Sequence, residues 1–412
     1  MGKGLGIWLD GAKVARIEYQ RGGPRLAYTA LALDRHPLNA PLLSLSLPVR
    51  STAFPPGVVR AFLDGLLPEG IAREALARDF SLEAGDTVGL VRALGRESAG
   101  ALIILPDDES PSAPLVRTSV HELNRDDLQA LISNLRSEPL GVTQLVRLSL
   151  AGVQEKLALV ALGSNAWGQP APGTPSTHIV KPALVAFPDS VANEAFCMRL
   201  ARALGLDVAR VTVEVIVGRP ALFVERYDRK VVEDGSVARI HQEDFCQAFG
   251  LMPSRKYEEQ GGPSLRRIAE TLINFADASS LTRFLEALVC NVLIGNGDAH
   301  AKNFSLLRRE GGGLTLAPLY DLLSTVRYGD ARLAMSINGV QRIDRVTTAH
   351  VINEASTWGL SRDAARRIVE HTVEMVPSAL AAASAETPEV PADLIGFVER
   401  QASMLRDGLS LE

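Results

Sequence analysis

The segment LIGNGDAHAKNFSLL holds a dense group of side chains that can do chemistry between two apolar runs. Within six residues it contains Asp298, His300, Lys302 and Asn303. A carboxylate, an imidazole, an amine and an amide together can move a proton, bind an anion and bind a cation. Polar groups on a loop between buried elements commonly carry function, so this segment is the first candidate site.

The spacing of the acidic and amide residues narrows the chemistry. Asp298 and Asn303 are five positions apart, which is the interval between the base and the metal-binding Asn in the catalytic loop of protein kinases. Asp298 would accept a hydroxyl proton, and Asn303 would bind Mg²⁺. Asp321 follows eighteen residues after Asn303, at the end of the strand-like run in LTLAPLYDLLS. This second carboxylate could bridge Mg²⁺ and the phosphates of ATP.

Two upstream residues extend the series. Lys181 ends the β-like run STHIVKP, and Glu194 lies on the helix that follows, where it could pair with the lysine and hold it on the ATP phosphates. Taken singly, a strand lysine is usually solvated, and Asp or Asn is usually a turn or cap residue. His300 alone could be a structural histidine. The order of all five acidic, basic and amide residues favours phosphoryl transfer.

A phosphate-binding loop is harder to identify. GSNAWGQ at 163–169 has the glycine spacing of a P-loop but lacks its lysine. RLSLAGVQEKLALV lies between two strand-like stretches and carries Ser149, Gly152, Gln154 and Lys156. Backbone N–H groups near Ala151 and Gly152 could approach phosphate oxygens, although a loop of this kind, taken alone, is more often an ordinary hairpin turn.

Composition limits the class of protein. The 412 residues are enough for two or three domains, and a net charge of -5 excludes a basic field over the whole chain that would bind nucleic acid. The three cysteines are far apart in sequence, which predicts free thiols in a reducing cytosol. The N-terminus lacks a secretory pattern, and apolar runs are too short for a membrane span, so a cytoplasmic protein without membrane contact is predicted.

The spacing of apolar residues predicts the helices and strands that must position the candidate site residues. Alternation around Asp10-Gly11 predicts antiparallel strands, three helices follow from Pro56, and the segment PDDESPSAPL at 106–115 is typical of a linker. A helix is predicted over 125–136 and another over 191–204. Strands are predicted at 142–148, 157–162, 178–181, 211–217 and 221–225. Helical periodicity prevails beyond Gln242, so a β-rich lobe precedes a helical one.

Taken together, these motifs resemble the HipA family of toxin kinases from bacterial toxin–antitoxin modules. The resemblance rests on PLLSLSLPVR, FLDGLLPEGIARE, LVRALGRESAGAL, LSLAGVQEKLALV, THIVKP, NEAFCMRLARALGL, VERYDR, QEDFCQAFG, KYEEQGGP, GNGDAHAKNFS and LAPLYDLLS, in the order of the family. It implies an α+β, bilobal protein-kinase-like fold with a β-rich N-lobe, a helical C-lobe and an extra N-terminal α/β subdomain. The implied domains are 1–107, 108–227 and 228–412.

The resemblance also implies roles for individual residues. Asp298 would be the catalytic base, and Asn303 and Asp321 would be the Mg²⁺ ligands. The implied ATP-binding residues are Ala151, Gly152, Val153, Gln154, Lys156, Lys181, Glu225, Tyr227, His300, Lys302, Asn303 and Asp321. Glu194 would support Lys181 through an ion pair. Ser149 matches the family's autophosphorylated serine, where an added phosphate would repel ATP and inactivate the enzyme.

The implied partners are a helix-turn-helix antitoxin dimer and, mainly through it, operator DNA. The implied substrate is a serine of an aminoacyl-tRNA synthetase, such as glutamyl-tRNA synthetase, whose modification stops translation and promotes dormancy. The acidic chain agrees with an antitoxin that supplies most phosphate contacts to DNA. Two alternatives stay open: a catalytically quiet corepressor scaffold with the same fold, and a kinase that acts on a small molecule.

Overall fold

The structure is a computed structural model that describes residues 4–20, 22–111, 120–135, 156–163, 166–216, 218–233 and 235–410. The chain forms two compact units. The first comprises Met1–Pro182 and Val215–Pro253, and the second comprises Ala183–Glu214 and Ser254–Glu412. The domain boundaries at 107 and 227 stay a prediction. The strand expected at 142–148, Ser149 and Ala151 to Gln154 lie outside the described residues.

The first unit opens with the predicted hairpin. Strands β1 (Leu5–Leu9) and β2 (Ala12–Gln20) are antiparallel, and both turn residues, Asp10 and Gly11, have a positive φ (50° and 76°). Strands β3 (Gly23–Tyr28) and β4 (Ile103–Pro106) complete a sheet of order β3-β2-β1-β4. Four helices lie between them in sequence: α1 (Ala30–Arg35), α2 (Pro56–Gly65), α3 (Gly70–Asp79) and α4 (Thr87–Leu94). The apolar face of the sheet and helices α2 to α4 share one buried core.

The first unit also contains most of a larger sheet. The elements in this part are β5 (Val120–Leu123), α5 (Arg125–Ser133), β6 (Leu157–Gly163), β7 (Ala166–Pro170), β8 (His178–Pro182), β9 (Val211–Ile216) and β10 (Arg219–Glu225). The strand order is β5-β7-β6-β8-β10-β9. Between β8 and β9 the chain forms α6 (Ser190–Ala203) of the second unit. The first unit ends with β11 (Arg229–Val231), β12 (Val237–Arg239), β13 (Gln242–Asp244) and α7 (Phe245–Ala248).

The second unit is largely helical, as predicted. Besides α6 it contains α8 (Leu265–Phe275), α9 (Ser280–Ile294), α10 (Thr348–Thr357), α11 (Arg362–Glu386) and α12 (Ala392–Leu409). Helix α9 is buried at every position from Ala287 to Ile294, in agreement with the sequence ALVCNVLI, which is apolar apart from Asn291. Two hairpins that helical periodicity did not predict also occur: β14 (Ser305–Arg308) with β15 (Leu314–Leu316), and β16 (Arg332–Ile337) with β17 (Val340–Arg342). Strands of three to six residues are too short to show a clear period of two.

These elements confirm the mixed helix-and-sheet fold class. Cys197, Cys246 and Cys290 are buried free thiols, in agreement with the prediction. Over the described ranges, no helix is both long and apolar enough to cross a bilayer.

Candidate active site

The loop that carries Asp298 begins where α9 ends, and two glycines shape it. Gly295 has a φ of 70°, and a Cβ atom there would lie 2.6 Å from Cε1 of Phe397. A Cβ atom on Gly297 would lie 2.2 Å from the carbonyl oxygen of Arg332. Both positions therefore require glycine, which explains the GNG triplet before the aspartate.

Asn296, between these glycines, fixes the backbone of the loop. Its amide nitrogen donates to Oδ1 of Asn291 at 2.8 Å, and its Oδ1 accepts from the backbone N–H of Asp298 at 3.2 Å. The N–H of Gly297 donates to Oγ1 of Thr325 at 2.9 Å. Because Asn296 and Asn291 are buried, bulk water does not compete for these hydrogen bonds. The backbone that carries Asp298 is therefore held in one conformation.

Asn303 returns to the same loop as Asp298. The backbone carbonyl of Asp298 accepts from the N–H of His300 at 2.7 Å and from the side-chain amide of Asn303 at 3.0 Å. The amide nitrogen of Asn303 is thereby hydrogen-bonded to the protein. The amide oxygen of the same side chain is the atom that could bind a metal ion. The structure thus brings the predicted base and the predicted amide ligand together.

The Asp298 carboxylate lies in a partly buried and electrostatically crowded position. Burial raises its pKa, a hydrogen bond from the phenol of Tyr257 lowers it, and the nearby carboxylate of Asp321 raises it again. The phenol oxygen lies 2.8 Å from Oδ1 of Asp298. A cation bound near two neighbouring carboxylates relieves their mutual repulsion. Asp298 and Asp321 therefore fit a site that binds a divalent cation.

His300 is neutral at physiological pH. Burial and the positive charge of Lys256 together lower its pKa to about 4, against the opposing effect of Asp321. Among the described residues, Nδ1 of His300 has no hydrogen-bond partner. A neutral imidazole can bind a nucleotide through hydrogen bonds but not through charge.

Asp321 lies in a strained conformation that its neighbours maintain. Its φ is 59°, in the left-handed region that a residue with a side chain rarely adopts, at a cost of about 1–3 kcal/mol. The carbonyl of Leu319 accepts from Ala209 at 2.9 Å, and the phenol of Tyr320 donates to the carbonyl of Lys302 at 2.7 Å. Strand β15 ends at Leu316, so Asp321 lies in an irregular segment and not at the end of a strand as predicted. A strand could not have provided this positive φ.

The irregular residues 317–325 are called the Asp321 segment. The part of this segment that follows Asp321 is attached to α6. Asn193 is fully buried; its Oδ1 accepts from the N–H of Ser324 at 3.0 Å, and its amide donates to the carbonyl of Ser324 at 3.1 Å. Both polar groups of the Ser324 peptide segment are thus satisfied by one side chain. The adjacent Glu194 is only 3 % exposed. Helix α6 therefore holds the predicted supporting glutamate and the segment of the predicted metal ligand in one rigid arrangement.

The remaining predicted residues lie in the first unit. Lys181 is on β8 opposite Leu222 of β10 and is 8 % exposed. Glu225 is exposed at the end of β10, and the phenol of Tyr227 donates to Oε1 of Gln242. Lys156 is partly buried, directly before β6. The Lys181–Glu194 ion pair would join residues of the two units and stays a prediction.

A buried charge cluster lies beside Glu225 and Tyr227 in the first unit. We name it the Glu97 cluster; its members are Glu97, Arg226, Asp228, Arg229 and Arg239. The carboxylate of Glu97 lies 3.1 Å from Arg226, 2.9 Å from Arg229 and 2.8 Å from Arg239. Burial opposes its ionisation, but the three arginines prevail and lower its pKa to about 2. The cluster fixes the backbone next to Glu225 and Tyr227, two of the predicted ATP-binding residues.

The donor set fits a magnesium ion that is shared with a nucleotide. In the parts of the chain that the structure describes, no group of three or more His, Cys, Asp or Glu residues is arranged to bind a metal alone. Magnesium in nucleotide sites takes one or two protein ligands and completes its shell with phosphate and water oxygens. Asn303 and Asp321 provide such a partial set.

Sequence reasoning missed Tyr257 and Asn193. Tyr257 lies in the motif KYEEQGGP, which was singled out without a role for the tyrosine. Asn193 directly precedes Glu194, but its contact with Ser324 spans 131 residues. No local pattern indicates such a distant partner.

The fold and the site together define an α+β, kinase-like protein whose helical unit carries an Asp–Asn–Asp set on two adjacent loops. Comparison with family models gives the more specific assignment. The HipA-like C-terminal domain matches residues 148–380, and the HipA N-terminal domain matches residues 5–105. The chain belongs to the HipA family.

Individual relatives agree with this assignment. The chain is 39% identical to "Putative kinase Y4mE" of Sinorhizobium fredii, over 94% of each chain. It is 31% identical to "Serine/threonine-protein kinase toxin HipA" of Shewanella oneidensis, over 84% of this chain and 82% of the relative. The HipA chain in a solved Shewanella oneidensis complex of HipA, HipB and operator DNA matches with a TM-score of 0.83 at 27% identity, over 99% of this chain and 97% of that one.

Proposed function

We propose that this protein is an ATP- and Mg²⁺-dependent serine/threonine protein kinase that acts as the toxin of a toxin–antitoxin module. The observation that carries the proposal is the arrangement of Asp298, Asn303 and Asp321, in which two carboxylates and an amide converge on rigid loops of the second unit. The kinase and toxin names of the Shewanella relative support it.

In this proposal the chain's own residues align the reactants. Asp298 accepts the proton of the acceptor hydroxyl as its oxygen attacks the γ-phosphorus of ATP, and ADP leaves. Asn303 and Asp321 hold Mg²⁺, which neutralises charge on the phosphates when it is bound. Neutral His300 lies on the same loop as Asp298 and Asn303. Lys302 also lies on this loop, and its backbone carbonyl accepts a hydrogen bond from the phenol of Tyr320. Phosphoryl transfer needs alignment and charge stabilisation more than covalent chemistry, which suits so rigid a loop.

The first unit carries further residues of the proposed nucleotide site. Lys181 and Lys156 bind phosphate oxygens, and Glu225 and Tyr227 bind the adenine. Glu194 of α6 supports Lys181. Ala151, Gly152, Val153 and Gln154, which lie outside the described residues, complete the proposed set of ATP-binding residues.

Regulation and partners are further parts of the proposal. Phosphorylation of Ser149 adds about two negative charges next to the phosphate-binding loop and inactivates the enzyme by repelling ATP. The substrate is a serine of an aminoacyl-tRNA synthetase, and the protein acts in the cytoplasm. A helix-turn-helix antitoxin dimer binds the kinase and carries it to operator DNA; the HipA, HipB and operator DNA complex of Shewanella oneidensis supports this part.

The first test uses the purified full chain with Mg-ATP, followed by intact-mass measurement and phosphosite mapping. We expect a phosphate on Ser149 in the parent and in Asp344→Asn, an exposed aspartate that pairs with Arg342 at the surface. We expect Asp298→Asn to retain its fold and its ATP affinity but to incorporate phosphate at only a small fraction of the rate of the parent. Phosphorylation of Asp298→Asn at the rate of the parent would exclude Asp298 as the base. ATP binding without any phosphate in the parent would favour the corepressor scaffold or a small-molecule acceptor.

A further inference from the structure

A tight turn packs against the loop that carries Asp298. This turn, residues 256–262, is called the KYE turn below. It closes on itself, because the N–H of Gly262 donates to the carbonyl of Tyr257 at 2.9 Å and Gly261 has a φ of 82°. A Cβ atom on Gly262 would lie 2.5 Å from the carbonyl oxygen of Arg255, so the glycine pair is required for this shape.

The KYE turn is attached to the catalytic loop on both sides of Tyr257. On one side, the N–H of Ala301 donates to the carbonyl of Lys256 at 3.2 Å. On the other, Glu258 accepts from the N–H and the hydroxyl of Ser336 at 2.7 and 2.9 Å. Ser336 lies on β16, and β16 is itself bonded to the loop, since the N–H of Ala334 donates to the carbonyl of Gly297 at 2.7 Å. The residues that flank Tyr257 are therefore fixed relative to Asp298.

Tyr257 uses this fixed position to contact two residues of the loop. Its phenol donates to Oδ1 of Asp298 at 2.8 Å. Its ring meets the imidazole of His300 edge to face, with ring centroids 5.3 Å apart and planes at 81°. One carboxylate oxygen of Asp298 is thus held by a rigid donor, and rotation about its side-chain bonds is restricted. The other oxygen then has a defined direction.

We propose that Tyr257 is a positioning residue that holds Asp298 in the orientation needed to accept the proton of the acceptor hydroxyl. This inference rests on the proposed kinase function and adds a residue to it. The phenol acts only through Asp298 and transfers no proton itself. A second interpretation is that the phenol occupies the place of the acceptor hydroxyl and must move away. A gate of that kind needs a loosely held segment, whereas the KYE turn is bonded on both sides of Tyr257.

The test is Tyr257→Phe, which removes the hydroxyl and keeps the ring against His300. We expect kcat for phosphoryl transfer to fall by about 10- to 100-fold, because a misdirected base loses alignment with the proton. The KM for ATP and the Kd for Mg-ADP, measured by calorimetry, should stay within about twofold. The matched control is Tyr28→Phe, which also removes a buried phenol hydrogen bond, to the carbonyl of Leu47 in the first unit. It should retain the kcat of the parent.

A second variant separates positioning from general damage to the fold. When Tyr257→Phe is added to Asp298→Asn, the residual turnover should fall no further, because the phenol no longer has a carboxylate base to orient. An additive loss would overturn the proposal, and so would an unchanged kcat in Tyr257→Phe beside an active parent. A rise in turnover with a lower KM for the acceptor would establish the gate instead. Absence of phosphoryl transfer in the parent itself would overturn the proposed function, and this inference with it.

Discussion

Gly297, the residue directly before Asp298, has no room for a side chain. Because Gly297 has no side chain, the carbonyl oxygen of Arg332 can pack against its Cα atom. A Cβ atom added to Gly297 would lie only 2.2 Å from that oxygen. Both groups at this contact are backbone, so neither can move without shifting β16 or the loop. The glycine thus couples the position of the proposed base to a neighbouring hairpin.

We therefore expect Gly297→Ala to lower the free energy of unfolding by about 2–4 kcal/mol and to abolish most turnover. Urea denaturation followed by circular dichroism measures the first effect, and a phosphoryl-transfer assay measures the second. The control is Gly396→Ala on α12, where the nearest atom to a new Cβ is the flexible end of Arg400 at 3.3 Å. That substitution should be neutral or stabilising by up to about 1 kcal/mol. Equal stabilities of the two variants would contradict this interpretation of the close contact.

The site could be predicted from the sequence where its residues are close together in the chain. The interval from Asp298 to Asn303 and the acidic residue at 321 were sufficient to predict a kinase-like set, and the structure brings these three together. Tyr257 and Asn193 could not be predicted, because their partners lie 41 and 131 residues away. Sequence spacing indicates which groups share a loop and carries no information about which groups meet across the fold.

At the scale of elements, the buried side chain of Asn193 connects α6 to the Asp321 segment. Asn193 satisfies both the N–H and the carbonyl of Ser324. Arg327, three residues further along, pairs with Asp189 at the start of α6. The strained φ of Asp321 persists because the segment is held on both sides of that residue.

Asn193→Ala should release this attachment. Two buried peptide groups would lose their partners, so we expect the free energy of unfolding of the second unit to fall by about 2–4 kcal/mol. Relaxation of Asp321 should also raise the Mg²⁺ concentration required for half-maximal nucleotide binding by about tenfold, measured by calorimetry at a series of Mg²⁺ concentrations. Asn353→Ala on α10, whose side chain bonds Arg362 at the surface, is the control and should change neither quantity appreciably. An unchanged Mg²⁺ requirement in Asn193→Ala would show that Asp321 keeps its conformation without α6.

The helices and strands could likewise be predicted from sequence only where the pattern is local and long enough to repeat. Helix α6 was predicted because its apolar residues recur with the period of a helix, and the region beyond Gln242, which contains α9, was predicted to be helical as a whole. Strand β15 lies in the run LTLAPLYDLLS, which the sequence predicts to be strand-like, whereas β14, β16 and β17 were not predicted because strands of three to six residues are too short to show a clear repeat. Their formation depends on contacts with helices that lie elsewhere in the sequence.

At the scale of the whole molecule, the Glu97 cluster joins distant parts of the first unit. Glu97 follows α4, Arg226 and Arg229 follow β10, and Arg239 ends β12. The pKa of Glu97 is about 2 in the folded chain, against 4.5 for an ordinary glutamate. The carboxylate therefore stabilises the folded state fully above pH 4.5, and this contribution is lost as the pH falls from about 4.5 to about 2.

Glu97→Gln should accordingly destabilise the first unit by about 3 kcal/mol at pH 7, because three arginines lose their buried counter-charge. The difference from the parent should shrink as the pH is lowered from 4.5 towards 3. Urea unfolding followed by tryptophan fluorescence measures it, since Trp8 and Trp167 both lie in this unit. The control is Glu109→Gln, which removes a pair with Arg96 whose glutamate is 43 % exposed and should cost less than about 1 kcal/mol. A stability difference that is constant between pH 3 and pH 7 would contradict the assignment.

The sequence separation within the Glu97 cluster has a consequence for synthesis on the ribosome. Glu97 and Arg226 are 129 residues apart, and the helix α6 of the second unit is made between them. At typical elongation rates, roughly 10 s pass between the emergence of the carboxylate and that of its first arginine. During this interval the growing chain keeps Glu97 hydrated, because a buried carboxylate without a counter-charge is too unfavourable. The region around Glu97 therefore closes only after the strands that carry its arginines have left the exit tunnel, and we expect a nascent chain that stalls before Arg226 to keep the Glu97 carboxylate exposed to solvent.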